Sequence, residues 1–379
     1  MPWKHVTPMS QRKEFVSLAM VDGVNMSRLC RRFEISRKTG YKWLARVRAE
    51  GETGLADRSR RPRRSPRTTP RGLEEAVLQV REVHPAWGGR KLRVRLQAQG
   101  WTQVPAASTI TAILHRHGLI DPGESAKHQA WQRFEAPAPN DLWQMDFKGH
   151  FALAPGRCHP LTVLDDHSRY ALGLEACADE RRDTVQQRLT AIFRRYGLPR
   201  KMLMDNGPPW GAEGQADYTI LTVWLLRLGV RVSHSRPYHP QTLGKDERFH
   251  RTLKAELLQY CQGLALVQCQ PRFDAWRLTY NLERPHEALG LAVPASRYRE
   301  SPRSFPEQLP AIEYGPGDVV RKVYETGRIS FHNRFFRLGK AFRGESVALR
   351  PTVTDGLWEV YFGQHRIARI NLREPPGPD

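Results

Sequence analysis

No stretch of the 379-residue sequence approaches the roughly 20 consecutive apolar residues that a membrane-spanning helix requires. The amino-terminal MPWKHVTPMSQRKEF has no apolar signal core either, so a cytoplasmic protein without a membrane partner is expected. Cysteine is scarce: Cys30, Cys158, Cys177, Cys261 and Cys269 form no CxxC pair, which removes a zinc knuckle and a disulfide framework and leaves small, reduced, buried thiols. Acid is short as well. The chain holds 39 Asp and Glu against 60 Lys and Arg, a net charge of +21. Such an excess calls for a polyanionic partner. It is concentrated at the amino terminus, where residues 1–71 hold 18 Lys and Arg against 6 Asp and Glu, +12 of the total. Arginine dominates there and suits bidentate contacts to phosphate and guanine.

The chain is too long for one core, and its patterning changes along its length. Residues 1–52 read as a helix-turn-helix domain. Ser10 is expected to cap a first helix over 10–22, Gly23 to break it, and NMSRLCRRFEI to form a second with Leu29, Cys30 and Phe33 inward. Ser36 then caps a basic third helix that presents Arg37, Lys38 and Lys42 to a major groove, with Tyr41, Trp43 and Leu44 packing inward or touching the DNA backbone. Residues 53–71 form a basic Arg/Pro linker with too little apolar content to pack, in which Arg61 and Arg63 suit a narrow minor groove. Residues 72–125 repeat the helical theme as a second DNA-binding domain, with Val77, Leu78, Val80 and Val83 on one face and Ile110, Ile113 and Leu114 inward. Two tethered modules gain affinity by bivalency.

Residues 135–265 read as three strands followed by helix, strand, helix, strand and helix, a mixed α/β sheet covered by helices. A helical extension and linker over 266–310 leads to short alternating segments over 311–372, a small all-β barrel. Three carboxylates stand out by position. Asp146 lies inside the first strand between Met145 and Phe147, where an unpartnered charge is costly. Asp205 closes the fourth strand at MLMDNG, at the carboxyl end where open sheets build their sites. Glu247 lies on the last helix, about 125° from the apolar stripe of Phe249, Leu253, Leu257 and Tyr260, on the side of Arg251 and Lys254; Asp246 lies on or beside the stripe. Paired divalent ions need such carboxylates on rigid elements. Asp165 and Asp166 in VLDDHSR read as a capped bend and stand as rivals for that role.

WQMDFKGHF, TVLDDHSRY, MLMDNGPPW, HPQTLGKDERFHRTLK and YNLERPHEAL, in this order across residues 140–290, resemble the integrase-type DDE transposases of bacterial insertion sequences, whose catalytic core is ribonuclease H-like, as in retroviral integrases. The resemblance implies a triad of Asp146, Asp205 and Glu247 holding two Mg²⁺ or Mn²⁺ ions. It also implies 3′-end cleavage and strand transfer without a covalent protein–DNA intermediate, on double-stranded DNA comprising element ends and target, in a homo-oligomer. Many relatives place about 35 residues between the second aspartate and the glutamate, whereas 41 intervene here, the surplus falling near PPWGAEGQADYT. Glu247 then shares its face with Arg251 and Lys254 because cations and DNA backbone meet there, and Lys254, Lys245 and Gln241 are expected to grip phosphates. Arg284 and His286 are expected to fix a helix end. The rival functions are a helix-turn-helix repressor with an idle core and a structure-selective nuclease.

Overall fold

The computed structural model describes residues 7–59, 68–120, 135–211, 218–234 and 244–374. The chain divides into two compact units, Met1–Thr68 and Thr69–Asp379. The first is a helix trio: α1 (Pro8–Ala19), α2 (Met26–Arg32) and α3 (Arg37–Glu50). Its first cap is Thr7 rather than Ser10. Pro8 occupies the first helical position, where its missing N–H costs nothing, and Ser10 returns a hydrogen bond to the Thr7 N–H, a reciprocal capping box. Ser36 caps α3 as expected. Helices α3, α2 and α1 cross at Gly40, where an added Cβ would stand 2.8 Å from both Cys30 Sγ and the Phe15 ring. Phe15, Leu29, Cys30, Trp43 and Leu44 make the core, while Tyr41 is exposed.

The second unit opens with another trio, α4 (Arg71–Val83), α5 (Gly89–Ala98) and α6 (Ala107–Arg116). Val77, Val80, Ile110, Ile113 and Leu114 are buried, with Leu78 partly so. Val83 is not: as the last residue of α4 it is 72% exposed, because the helix ends before another turn can cover it.

Six strands follow: β1 (Trp143–Phe147), β2 (Phe151–Ala152), β3 (Arg157–Asp165), β4 (Ala171–Cys177), β5 (Lys201–Met204) and β6 (Arg231–His234). Strand β3 pairs antiparallel with β1, β2 and β4, whereas β1–β5 and β5–β6 are parallel. The parallel pairs need crossovers, supplied by α7 (Arg182–Tyr196) and α8 (Ile220–Arg227). The first strand and the one ending at Met204 are therefore neighbours, as the sequence order requires. On one face Trp143, Met145 and Val163 meet α7 residues such as Leu189 and Phe193. On the other, Leu164, Ala171 and Leu174 meet Phe249 and Leu253 of α9 (Gly244–Glu256) and Phe273, Trp276 and Tyr280 of α10 (Leu266–Leu282). Asn281 locks α10 to β4 by exchanging two hydrogen bonds with the Ala171 backbone, at 2.8 and 3.0 Å. The stripe on α9 stops short of Tyr260, which is 54% exposed, because the α-helix ends at Glu256 and Leu258–Tyr260 is a tighter 3₁₀ turn of different phase.

The carboxy-terminal part is all β, with a four-stranded sheet ordered β12 (His365–Asn371), β11 (Leu357–Phe362), β10 (Ser346–Pro351), β7 (Val319–Lys322) and a hairpin of β8 (Arg328–Phe331) with β9 (Arg334–Arg337). Among the described residues the ladders are this sheet and this hairpin, packed over a core of Val347, Leu349, Val360, Phe362 and Phe342, the all-β domain expected. No helix among the described residues is long and apolar enough to cross a membrane.

Candidate active site

Strand register builds the site. In the parallel pair, Trp143 lies beside Met202 and Gln144 beside Leu203. The ladder stops there; carried two residues further, the same register would bring Asp146 level with Asp205 on one face, and the Asp205 charge does act on the Asp146 carboxyl. The backbone then turns sharply. Gly207 N–H donates to Asp205 Oδ1 at 3.0 Å, Trp210 Nε1–H donates to the same oxygen, and the Gly211 N–H closes on the Gly207 carbonyl at 2.7 Å. A Cβ at Gly211 would fall 1.9 Å from the Asn206 carbonyl oxygen, so only glycine permits this turn. Trp210 is buried and stacks on Phe147, ring centroids 5.4 Å apart, walling one side of the pair.

The electrostatics disfavour a second negative charge beside Asp205. Burial, and next the Asp205 charge, push the Asp146 carboxyl up to about 7. A carboxyl so raised contributes stability in full below its ordinary value and loses it as pH rises through 7. Asp146→Asn is therefore expected to stabilise the cation-free protein at pH 8, by at most about 4 kcal/mol, with the gain shrinking toward pH 4. Melting curves at the two pH values check this. Two adjacent carboxylates fit a hard cation such as Mg²⁺, which takes one or two carboxylates and leaves its other positions to water and phosphate. Among the described residues no group of three His, Cys, Asp or Glu is placed to hold an ion. The structure thus brings Asp146 and Asp205 together and does not by itself add Glu247 as a third ligand.

Helix α9 explains where Glu247 stands. Asp246 is buried, 1% exposed, and neither carboxylate oxygen has a hydrogen-bond partner among the described residues. Burial first, then the nearby Asp146 and Asp166, hold its carboxyl well above the usual range. Glu247, Arg251 and Lys254 are exposed on the opposite side, as the helical wheel requires. Lys245 is a correction. Its half-buried ammonium pairs with Asp166, which also accepts from Ala136 N–H at 2.7 Å and Gln144 Nε2–H at 2.6 Å. Lys245 therefore ties the first turn of α9 to the sheet beside β1 instead of reaching for phosphate. Asp165 accepts from Asn140 N–H, Ser168 N–H and Ser168 Oγ–H, so both aspartates of VLDDHSR are structural, as a capped bend requires. Arg284 pairs with Glu256 at 2.9 Å and His286 meets the Tyr280 hydroxyl at 3.1 Å, fastening the end of α9 to α10.

Sequence reasoning missed His250. Thr162 Oγ–H donates to the Asp146 carbonyl at 2.9 Å, which leaves His250 Nε2–H as donor to that hydroxyl at 2.8 Å and turns Nδ1 toward Asp146 Oδ2, 3.9 Å away. Burial, then Lys148, push the imidazole down to about 3, so it is neutral. The one available signal was helical spacing, since His250 lies one turn after Glu247.

On α3, Arg37, Lys38 and Lys42 are exposed, while Trp43 beneath them is buried with Arg12 at 4.2 Å and Lys42 at 4.5 Å from its ring. Arg61, Arg63 and Gln241 lie outside the described residues.

Five family models match the chain: a helix-turn-helix domain over residues 11–63, a homeodomain-like domain over 39–114, integrase core domains over 136–240 and 228–294, and the C-terminal domain of IS481 family transposases over 318–376. An uncharacterized 39.2 kDa protein of insertion element IS476 from Xanthomonas euvesicatoria is 24% identical over 295 residues, 76% of this chain and 81% of that protein. An uncharacterized 31.7 kDa protein of insertion element IS407 from Burkholderia multivorans is 28% identical over 177 residues, 45% of this chain and 61% of the relative. A Gag-Pol polyprotein of baboon endogenous virus is 26% identical over 48% of this chain, which spans 10% of that polyprotein. Among solved structures, a simian T-cell lymphotropic virus intasome in complex with PP2A regulatory subunit B56 gamma matches 77% of this chain and 99% of its own at 17% identity and a TM-score of 0.38. The HTLV-2 integrase catalytic core in complex with magnesium matches 44% of this chain and 100% of its own at 17% identity and 0.35.

Proposed function

We propose that this chain, similar to integrase-core transposases of bacterial insertion elements, binds the terminal inverted repeats of such an element, cleaves their 3′ ends and joins them to target DNA. The observation that supports this reading most is the parallel pairing of the strands that lead to Asp146 and Asp205, with the Asp205 charge acting on the Asp146 carboxyl. In this reading Asp146, Asp205 and Glu247 hold two Mg²⁺ or Mn²⁺ ions. When bound, such ions supply charge neutralisation at the scissile phosphate and activation of a water or a 3′-hydroxyl for in-line displacement.

The chain's own residues do the rest. Asp146 and Asp205 present carboxylate oxygens from rigid strand ends, and the Gly207 and Trp210 donors fix the Asp205 rotamer. His250 and Thr162 hold the Asp146 backbone. Lys245 on Asp166 sets the axis of α9 so that Glu247 leads its exposed face. Arg251 and Lys254, one and two turns on, hold backbone phosphates. The exposed cations of α3, with Arg61 and Arg63 of the linker and the trio α4–α6, recognise the element ends, and a homo-oligomer synapses two of them.

The adjacent pair Asp246 and Glu247 gives the test. Glu247→Gln is expected to lower cation-dependent end cleavage and joining about 10³-fold or more, and Asp246→Asn to leave them within about tenfold. Labelled element ends incubated with a target plasmid and Mg²⁺ report both steps. The opposite ranking would move the third ligand to Asp246. Cleavage without joining would favour a nuclease.

A further inference from the structure

The end of β6 carries a side chain that the catalytic reading leaves without a role. The ladder between β5 and β6 runs as far as Met204 opposite His234. One residue beyond it, the Asp205 carbonyl meets a side chain instead: His234 Nδ1 lies 2.7 Å from that oxygen. A carbonyl can only accept, so Nδ1 carries the proton. Asp205 is thereby held at two points. Its carbonyl takes the imidazole N–H, and its Oδ1 takes the Gly207 N–H and the Trp210 Nε1–H. His234 Nε2 is buried and meets no hydrogen-bond partner among the described residues. Burying a ring nitrogen in this way costs stability that an apolar side chain would not, which argues that the ring stands here for its Nδ1–H.

We infer that His234 is a positioning residue of the cation site, fixing the backbone at Asp205 so that the carboxylate stands ready for a divalent ion. The inference rests on the proposed cation role of Asp205. The donors on Oδ1 fix the rotamer, but a rotamer is only as well placed as the backbone that carries it. Past Met204 the β5–β6 ladder no longer holds the chain, and individual bonds must set the strand end. Contacts of this kind, one step behind a metal ligand, contribute about ten- to a hundredfold in metal affinity.

Mn²⁺ titration of the full chain, with free ion read by electron paramagnetic resonance, tests it together with the Mg²⁺ dependence of end cleavage. An asparagine amide N–H reproduces Nδ1–H, whereas a glutamine amide reaches the place of Nε2. His234→Gln is therefore expected to weaken Mn²⁺ binding about tenfold or more and to raise the half-saturating Mg²⁺ concentration alike, with the rate at saturating Mg²⁺ kept within about threefold. His234→Asn is expected to stay within about threefold of the unaltered chain in both. Binding of element ends in EDTA should not change in either variant. Should His234→Gln fail to fold, His234→Phe, which keeps a ring and removes the donor, takes its place. Unchanged Mn²⁺ affinity in the variant without the donor would overturn the inference. So would His234→Asn as weak as His234→Gln, which would give the role to Nε2, and so would a rate lost at saturating Mg²⁺ with affinity intact, which would place His234 in the chemistry. Asp205→Asn is the reference and should lose the ion whatever His234 does. Mn²⁺ held equally by Asp205→Asn and the unaltered chain would overturn the cation reading itself. An ion sensitive to Asp205 and indifferent to His234 would overturn this inference alone.

Discussion

Asp205→Asn is expected to abolish cation-dependent cleavage and joining, a loss of about 10³-fold or more, while binding to element ends stays within about threefold. The substitution keeps the shape of the side chain and its capacity to accept from Gly207 N–H and Trp210 Nε1–H through the amide oxygen, so the turn from Asp205 to Gly211 persists. What it removes is the negative charge that pushes Asp146 upward. Asp146 should titrate closer to its ordinary value in this variant, which separates the effect from misfolding. A gel assay for joining and a filter assay for binding, on the same protein preparation, give the two numbers. Retained joining would remove Asp205 from the chemistry.

The second large effect belongs to α3. Replacing Arg37, Lys38 and Lys42 by Ala is expected to weaken binding to element ends by about a hundredfold or more at physiological salt. The slope of log affinity against log salt should fall by about 0.9 for each DNA phosphate that the variant no longer neutralises. All three side chains are exposed, and the core of Phe15, Leu29, Trp43 and Leu44 does not involve Arg37 or Lys38. Lys42 lies over the Trp43 ring, so replacing it removes a cation–π interaction as well as a charge. Unchanged affinity and slope would shift recognition to the second helical trio.

Much of this was legible in the sequence because it depends on periodicity. The strand run ending at Met204, the charge set inside WQMDF and the 3.6-residue spacing of Phe249 and Leu253 give the sheet order, the aspartate pair and the orientation of α9 without coordinates. What escaped depends on partners from distant segments. Lys245 looks like a solvent cation until Asp166, buried behind it, becomes visible. His250 reads as one more polar helix residue until Thr162 of β3 comes within 2.8 Å. Cys158, Cys261 and Cys269, scattered in sequence, share one buried core because Cys158 of β3 meets both the segment joining α9 to α10 and the start of α10. Boundaries failed where two caps compete, as at Thr7 and Ser10, or where a helix tightens, as before Tyr260.

Which acids share the cation is decided by where the ion sits. Crystals of the full chain grown with Mn²⁺ and read by anomalous diffraction locate the ion directly. Manganese is expected between the Asp146 and Asp205 carboxylates, with Glu247 drawn in from the exposed face of α9 and Asp246 still buried behind it. Manganese ligated by Asp246 with Glu247 left in solvent, or no manganese at the aspartate pair, would contradict it.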